Sequence, residues 1–160
     1  RLMQLSIWHT SHIYDDRVHV PLIFCGFGIP SEKIVNTLTR SIDIFPTIFD
    51  ICNLSNFINR RGKSLRSLMM NKDFREESAF IESTVNLTKA HDSNLIGLRT
   101  SEFKYFRNRS NPLNDIHLYN LQNDPNENIN LYDQNLPKIK KYKERLLFYL
   151  NQNKIVTNFS

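Results

Sequence analysis

Four short runs, Glu77–Thr84, Asn94–Thr100, Glu102–Asn108 and Ile116–Leu121, carry β-branched, aromatic or alternating residues at close spacing. Only Thr100 and Ser101 mark the junction of the middle two. A parallel pair needs a crossover of a dozen residues or more, so this spacing restricts the runs to antiparallel hairpins. Asn135, Leu136 and Pro137 then open a helix in which Ile139, Tyr142, Leu146, Tyr149 and Leu150 form one apolar stripe. That stripe predicts a helix lying across one face of a small sheet, with residues 152–160 a frayed tail.

The first half reads differently. Leu2 to Tyr14 holds Trp8, His9 and His12 without periodicity and predicts irregular structure. The run Val18–Phe24 ends in a Gly/Pro turn, Cys25 to Pro30, and predicts a strand buried on both faces, with Pro21 at its start or at a bulge. Phe45, Ile48, Phe49 and Cys52 fall at i, i+3, i+4 and i+7, the stripe of a helix with Asp43 as N-cap and Pro46 in its first turn. Leu65, Leu68 and Met69 suggest one short helical turn. The expected organisation is α/β: residues 1–75 the end of a larger α/β domain, residues 76–151 a small antiparallel sheet with its terminal helix.

Composition narrows the function classes. The 160 residues carry 21 basic and 16 acidic side chains, a net charge of +5 that raises the question of nucleic acid. The Lys-rich run from Lys138 to Arg145 lies on the amphipathic helix, however, where a solvated charged face explains it, and no nucleic-acid partner is expected. No stretch of eighteen apolar residues is present, so no membrane span is expected. Cys25 and Cys52 lack metal-ligand spacing and sit among apolar neighbours, which predicts buried thiols. The sequence opens on Arg1 rather than Met, which leaves both a true start and an internal break open.

The sequence holds no Gly-rich phosphate loop, no HExxH, no paired CxxC and no Gly-x-Ser-x-Gly elbow. Its densest polar constellation is His9, His12, Tyr14, Asp15, Asp16 and His19. Imidazole titrates near neutrality and a neighbouring carboxylate fixes its tautomer, so such a group can bind metal or move protons; a loop that bonds to itself would look the same.

Five phrases occur in a familiar order: HTSHIYDDRVHVPLIF, RSIDIFPTIFDICNL, RRGKSLRSLM, NLIGLRTSEFKYF and HLYNLQNDPNENINL. Over residues 9–131 this order resembles the C-terminal part of the sulfatase family, within the alkaline-phosphatase-like superfamily. The resemblance implies the edge of a mixed sulfatase-like sheet with its helix, followed by the small antiparallel sheet covered by the terminal helix.

It also implies a parent enzyme that hydrolyses sulfate esters, often on sugars, with a formylglycine nucleophile and a bound divalent ion, usually calcium. Phosphodiester or phosphonate hydrolysis on the same scaffold, or a non-catalytic interaction remnant, are the alternatives. The nucleophile motif Cys-or-Ser-x-Pro-x-Arg is missing: Cys25 is followed by Gly26-Phe27-Gly28 and Cys52 by Asn53-Leu54-Ser55. The family's metal-binding Asp pair has no counterpart either, so no catalytic residue, metal ligand or cofactor is assigned to this chain, and the N-terminal catalytic part is the expected partner. The resemblance places His9 and His12 where the family contacts the substrate's sulfate, with either His12 or Thr10 in place of a common Lys. Tyr14 and Asp15 match the residues that support this loop, and Asp43, Arg99, Lys104, Asp124 and Pro125 match positions that build the fold.

Overall fold

The computed structural model describes residues 13–26, 28–54, 61–83, 94–134 and 136–152. They fall into two compact units, one formed by the described residues up to Val20 together with those from Phe80 onward, the other by Pro21–Ala79.

The first unit is built on a four-stranded sheet in the order β1 (Ala79–Glu82), β2 (Leu95–Arg99), β3 (Phe103–Asn108), β4 (His117–Asn120). All four expected strands are present, trimmed by one or two residues at one or both ends. β2 pairs antiparallel with β3 in the register Gly97↔Phe106, and β3 with β4 in the register Tyr105↔Leu118. The junction at Thr100 closes on itself: Thr100 Oγ1 accepts the Phe103 N–H at 2.9 Å, and the Thr100 N–H donates to Phe103 O at 2.8 Å.

Side-chain alternation divides the sheet into two faces. Ile96, Leu98, Phe103, Tyr105 and Leu118 meet Ile139, Tyr142, Leu146 and Leu150 of the terminal helix α4 (Leu136–Gln152). The predicted stripe therefore packs as expected, Tyr149 included, whose ring stacks on Phe80 at 4.7 Å. Lys140, Lys141, Lys143 and Arg145 point to solvent, while Lys138 lies 3.3 Å from the centre of the Phe103 ring. The opposite face carries Leu95, Phe106, Tyr119 and Leu121 and is covered by Ile13, Tyr14 and Val18 around the one-turn helix α1 (Asp15–Val18). Tyr14 and Asp15 thus lie on the sheet face that α4 leaves open.

In the second unit a 3₁₀ turn, Ser41–Asp43, runs into helix α2 (Ile44–Ile51), and α3 (Arg66–Met69) supplies the short turn predicted around Leu68. Asp43 does not act as an N-cap through its side chain. Its carboxylate reaches back to accept the Arg40 N–H at 2.9 Å and the Arg40 guanidinium at 2.8 Å, and across to the Lys63 N–H at 2.9 Å. Thr47 Oγ1 donates to Asp43 O and accepts the Leu65 N–H at 2.9 Å. These polar anchors turn Asp43, Pro46 and Thr47 inward.

The stripe expected to be buried is consequently on the outside, with Phe45 51% and Ile48 45% exposed. Cys52 and Cys25, expected in the core, are both exposed. The strand expected at Val18–Phe24 does not form: Val18 ends α1, and Ile23 is 84% exposed. A doubly buried strand needs neighbours on both edges to satisfy its N–H and C=O groups, and no strand pairs with these residues among the described ones.

Candidate functional site

His9 and His12, the predicted substrate contacts, lie outside the described residues. The chain they lead into is fixed in detail. After Tyr14 it turns into α1, with the N–H groups of Arg17 and Val18 donating to Tyr14 O at 2.9 and 3.2 Å. The Tyr14 ring meets Phe106 edge-on at 5.5 Å and tilts against Tyr119 at 6.0 Å.

Asp15 is the centre of a buried ion cluster. Arg99, at the end of β2, donates from Nη2 to Oδ2 at 2.7 Å and from Nε to Oδ1 at 3.0 Å. Lys104, on β3 and with its side chain fully buried, donates to Oδ1 at 2.9 Å. The same ammonium lies 2.8 Å from Oε1 of Glu127, whose other oxygen accepts the backbone N–H of Asp15 at 2.6 Å. Two cations face two carboxylates, so the cluster carries no net charge, and a ring of contacts closes from Asp15 through Lys104 and Glu127 back to the Asp15 main chain. A buried charge is tolerated when paired and hydrogen-bonded in this way. Burial alone would raise the Asp15 carboxyl, yet the hydrogen bonds and charges of Arg99 and Lys104 outweigh it and hold the group below the ordinary aspartate range.

Glu127 comes from the loop after β4. Its backbone is in the left-handed region, φ 53°, and the loop is held by Asp124, which accepts the Glu127 N–H on its carbonyl at 3.1 Å and the Ile129 N–H on its carboxylate at 2.8 Å. The Asp-Pro turn has a definite task here: it presents one glutamate to the far side of the sheet.

The remaining histidines of known position do not extend the cluster. His19 is mostly exposed, with Nδ1 3.9 Å from the Asp15 carboxylate. His117 stacks on Phe106 at 4.5 Å and meets the Tyr119 hydroxyl at 3.0 Å, and burial draws its pKa down. His91 lies outside the described residues.

The residues present do not fit the family's calcium ion. Among the described residues no three His, Cys, Asp or Glu side chains converge as a ligand set. The carboxylates of Asp15 and Glu127 are already engaged in ion pairs with Arg99 and Lys104. Both cysteines lack the residues that a formylglycine motif requires.

A family model described as N-sulphoglucosamine sulphohydrolase, C-terminal, matches residues 6–154. The chain belongs to this sulfatase family. Among its relatives is arylsulfatase K of Mus musculus, 31% identical over 134 residues, an alignment covering 81% of this chain and 24% of the relative. Arylsulfatase K of Homo sapiens is 29% identical over 135 residues, again covering 81% and 25%. The chain thus spans about a quarter of the length of the curated relatives it matches. Its fold is that of a solved 2-O GAG sulfatase, with a TM-score of 0.74 at 22% identity over 91% of this chain and 32% of that one. Another similar structure, TM-score 0.58 at 22% identity over 70% and 24% of the two chains, was solved with its substrate D-glucosamine-2-N,6-O-disulfate.

In this sulfatase C-terminal portion the expected supporting pair, Tyr14 and Asp15, is where two distant parts of the sequence meet. Arg99 and Lys104 were legible as fold-building residues but not as ligands of Asp15, and Glu127 was missed. The only sequence signal for it is its place two residues beyond the Asp124-Pro125 turn.

The depressed carboxyls give a signed expectation for acid. Asp15 and Asp43 both sit below their unfolded value of 3.8, in each case because burial is outweighed by hydrogen bonds and cations. The unfolded chain therefore binds these protons first, and the stability they contribute is complete well above pH 3.8 and drains away as pH falls through that value toward the folded pKa. Urea midpoints should drop between pH 5 and about pH 3 by more in the wild type than in Asp43→Asn. Parallel curves would remove Asp43 from the acid response.

Proposed function

We propose that this chain is the C-terminal part of an enzyme that hydrolyses sulfate esters, with sulfated sugars as the substrate class. The observation that carries the reading is the family match over residues 6–154, supported by relatives and similar structures named as sulfatases. In the complete enzyme the calcium ion and the formylglycine would be held by residues outside this chain and would supply the electrophilic and nucleophilic chemistry. This chain's own part is substrate contact. His9 and His12, leaving the anchored Tyr14–Asp15 segment, offer imidazolium N–H donors and positive charge to the sulfate oxygens, and charge-assisted bonds of that kind are about twice as strong as neutral ones. Tyr14 and Asp15 support them: the tyrosine ring seats the segment on the sheet, and the carboxylate ties it to β2 and β3.

Alone, the chain should turn over neither an aryl sulfate nor an aryl phosphate, with or without calcium, because general acid–base help is worth only ~10²–10⁴-fold. The decisive experiment is steady-state kinetics of the complete enzyme on a sulfated sugar. There His12→Ala should lower kcat/KM by roughly tenfold to a thousandfold, or ~1.4–4 kcal/mol of transition-state stabilisation, and His9→Ala by less. His91→Ala should stay at the wild-type rate. Wild-type rates for both His9→Ala and His12→Ala would reduce the segment to scaffold, and preference for the aryl phosphate would move the enzyme to phosphoryl transfer.

A further inference from the structure

We infer that the solvent face of α4 is a binding surface for a sulfated polysaccharide chain, formed by Lys140, Lys141, Lys143 and Arg145 with Phe148 as an aromatic platform. This surface, which presupposes the reading of sulfated sugars as the substrate class, recognises the polymer rather than the bond that is cut.

Solvation explains a charged helix face, but not one of a single sign. α4 carries five basic side chains and one acidic one, Glu144, a surplus that makes up most of the +5 of the whole chain. A helix that uses charge for stability pairs opposite signs at i, i+4 and sets cations in its last turn, against the negative end of the dipole. α4 does neither. Its last turn holds no basic residue and its first turn no acidic one, while Lys138 stands in the first turn. Lys141 and Arg145 are like charges at i, i+4, and Lys140 and Lys143 are like charges at i, i+3, spacings that repel. Lys140 and Glu144 have the spacing of an ion pair in its weaker order, and among the described residues Lys140, Lys141, Lys143 and Arg145 close no ion pair. Lys138 is engaged elsewhere, with Glu102 and the Phe103 ring, and marks the end of the surface.

The spacing suits a polymer. Lys138 to Arg145 is a basic run of the length that polyanions recognise. Lys141, Arg145 and Phe148 fall at i, i+4 and i+7 on one side of the helix, a row about 10 Å long that meets successive groups of an extended chain rather than one small ion. Phe148 is 65% exposed beside these cations. Sulfate groups accept charge-assisted bonds from lysine and arginine, and the C–H face of a sugar ring packs on an aromatic ring. A sulfated sugar chain presents both; a free sulfate ion presents only the first.

The test is binding of the complete enzyme to heparin, a sulfated polysaccharide, followed by fluorescence anisotropy over a range of NaCl concentrations. Lys141→Glu/Lys143→Glu should weaken binding about tenfold or more near 0.1 M salt and flatten the dependence of log Kd on log salt, because fewer counterions are released. Its thermal midpoint should not fall, since both positions are exposed and the new carboxylate at position 141 stands four residues before Arg145. Phe148→Ser should weaken binding roughly threefold to tenfold, the scale of one aromatic contact, with the salt slope unchanged. Lys72→Glu/Arg75→Glu, the same charge change at two exposed cations of the other unit, should bind within about twofold of wild type. Equal losses from the two double variants would reduce the effect to net charge and overturn the inference. Duplex DNA bound as tightly as heparin at the same salt would overturn it in favour of a nucleic-acid surface. Heparin bound through this face by an enzyme that turns over no sulfated sugar would overturn the reading of the substrate class and leave the surface standing.

Discussion

Lys104→Met should destabilise the fold by about 3–5 kcal/mol at neutral pH, the scale for breaking a buried ion pair by removing one partner. The lysine side chain is fully buried and contacts both Asp15 and Glu127, so its loss leaves Asp15 with Arg99 alone and the buried Glu127 carboxylate without its cation. Methionine fills nearly the same volume, which makes the loss one of charge rather than of packing. The pH dependence identifies it. Without the ammonium the Asp15 carboxyl keeps Arg99 but loses one of the two cations that hold it down, so its folded pKa rises relative to the wild type, and the penalty present at neutral pH shrinks as pH falls through the carboxylate range. Denaturant midpoints at pH 7 and about pH 3 should therefore show the gap to wild type narrowing in acid. Lys138→Met, which removes a partly exposed lysine 3.4 Å from Glu102, should cost no more than ~1 kcal/mol. A pH-independent deficit for Lys104→Met would mean that packing, not charge, holds the site.

Gly97→Ala should cost about 3 kcal/mol or more, although a glycine in a strand interior ordinarily leaves stability to be gained by such a change. A Cβ at Gly97 would stand 2.3 Å from the carbonyl oxygen of Tyr105 and 2.6 Å from Cβ of Phe106, its partner across the ladder. Both obstacles are backbone or the root of a side chain, so neither can rotate away. β2 and β3 would have to part where Phe106 is packed beneath Tyr14 and stacked on His117. Loss of the near-ultraviolet aromatic signal together with a lowered thermal midpoint would report that separation, and a midpoint at or above wild type would show that the strands can shift without cost.

The sheet and the terminal helix were legible because their signals are local. Alternation in Leu95–Arg99 and Phe103–Asn108 and the stripe Ile139, Tyr142, Leu146 and Leu150 each fall within one element, and the short Thr100-Ser101 junction leaves the two middle strands only an antiparallel pairing. Element ends moved by a residue or two, as hydrogen-bond ladders stop wherever a partner runs out.

In the Pro21–Ala79 unit the same reasoning failed at instructive places. The spacing of Phe45, Ile48, Phe49 and Cys52 correctly marked a helix, yet hydrophobicity did not decide which side faces inward. Asp43 and Thr47 did, by bonding to Arg40, Lys63 and Leu65, because a buried polar group must have its partners. Val18–Phe24 has the composition of a buried strand, but a strand is made by its neighbours, and the described residues provide none.

By itself the sequence determined the strand order's raw material, the amphipathic helix, the family and the segment Tyr14–Asp15 as a place of interest. Only the tertiary structure decided what Asp15 is bound to. Arg99, Lys104 and Glu127 stand 84, 89 and 112 residues away from it in sequence. No periodicity spans such distances. They meet because alternation puts Arg99 and Lys104 on one face of the sheet and a left-handed residue after the Asp124 turn carries a carboxylate to the same face, where charges shielded from water must find one another.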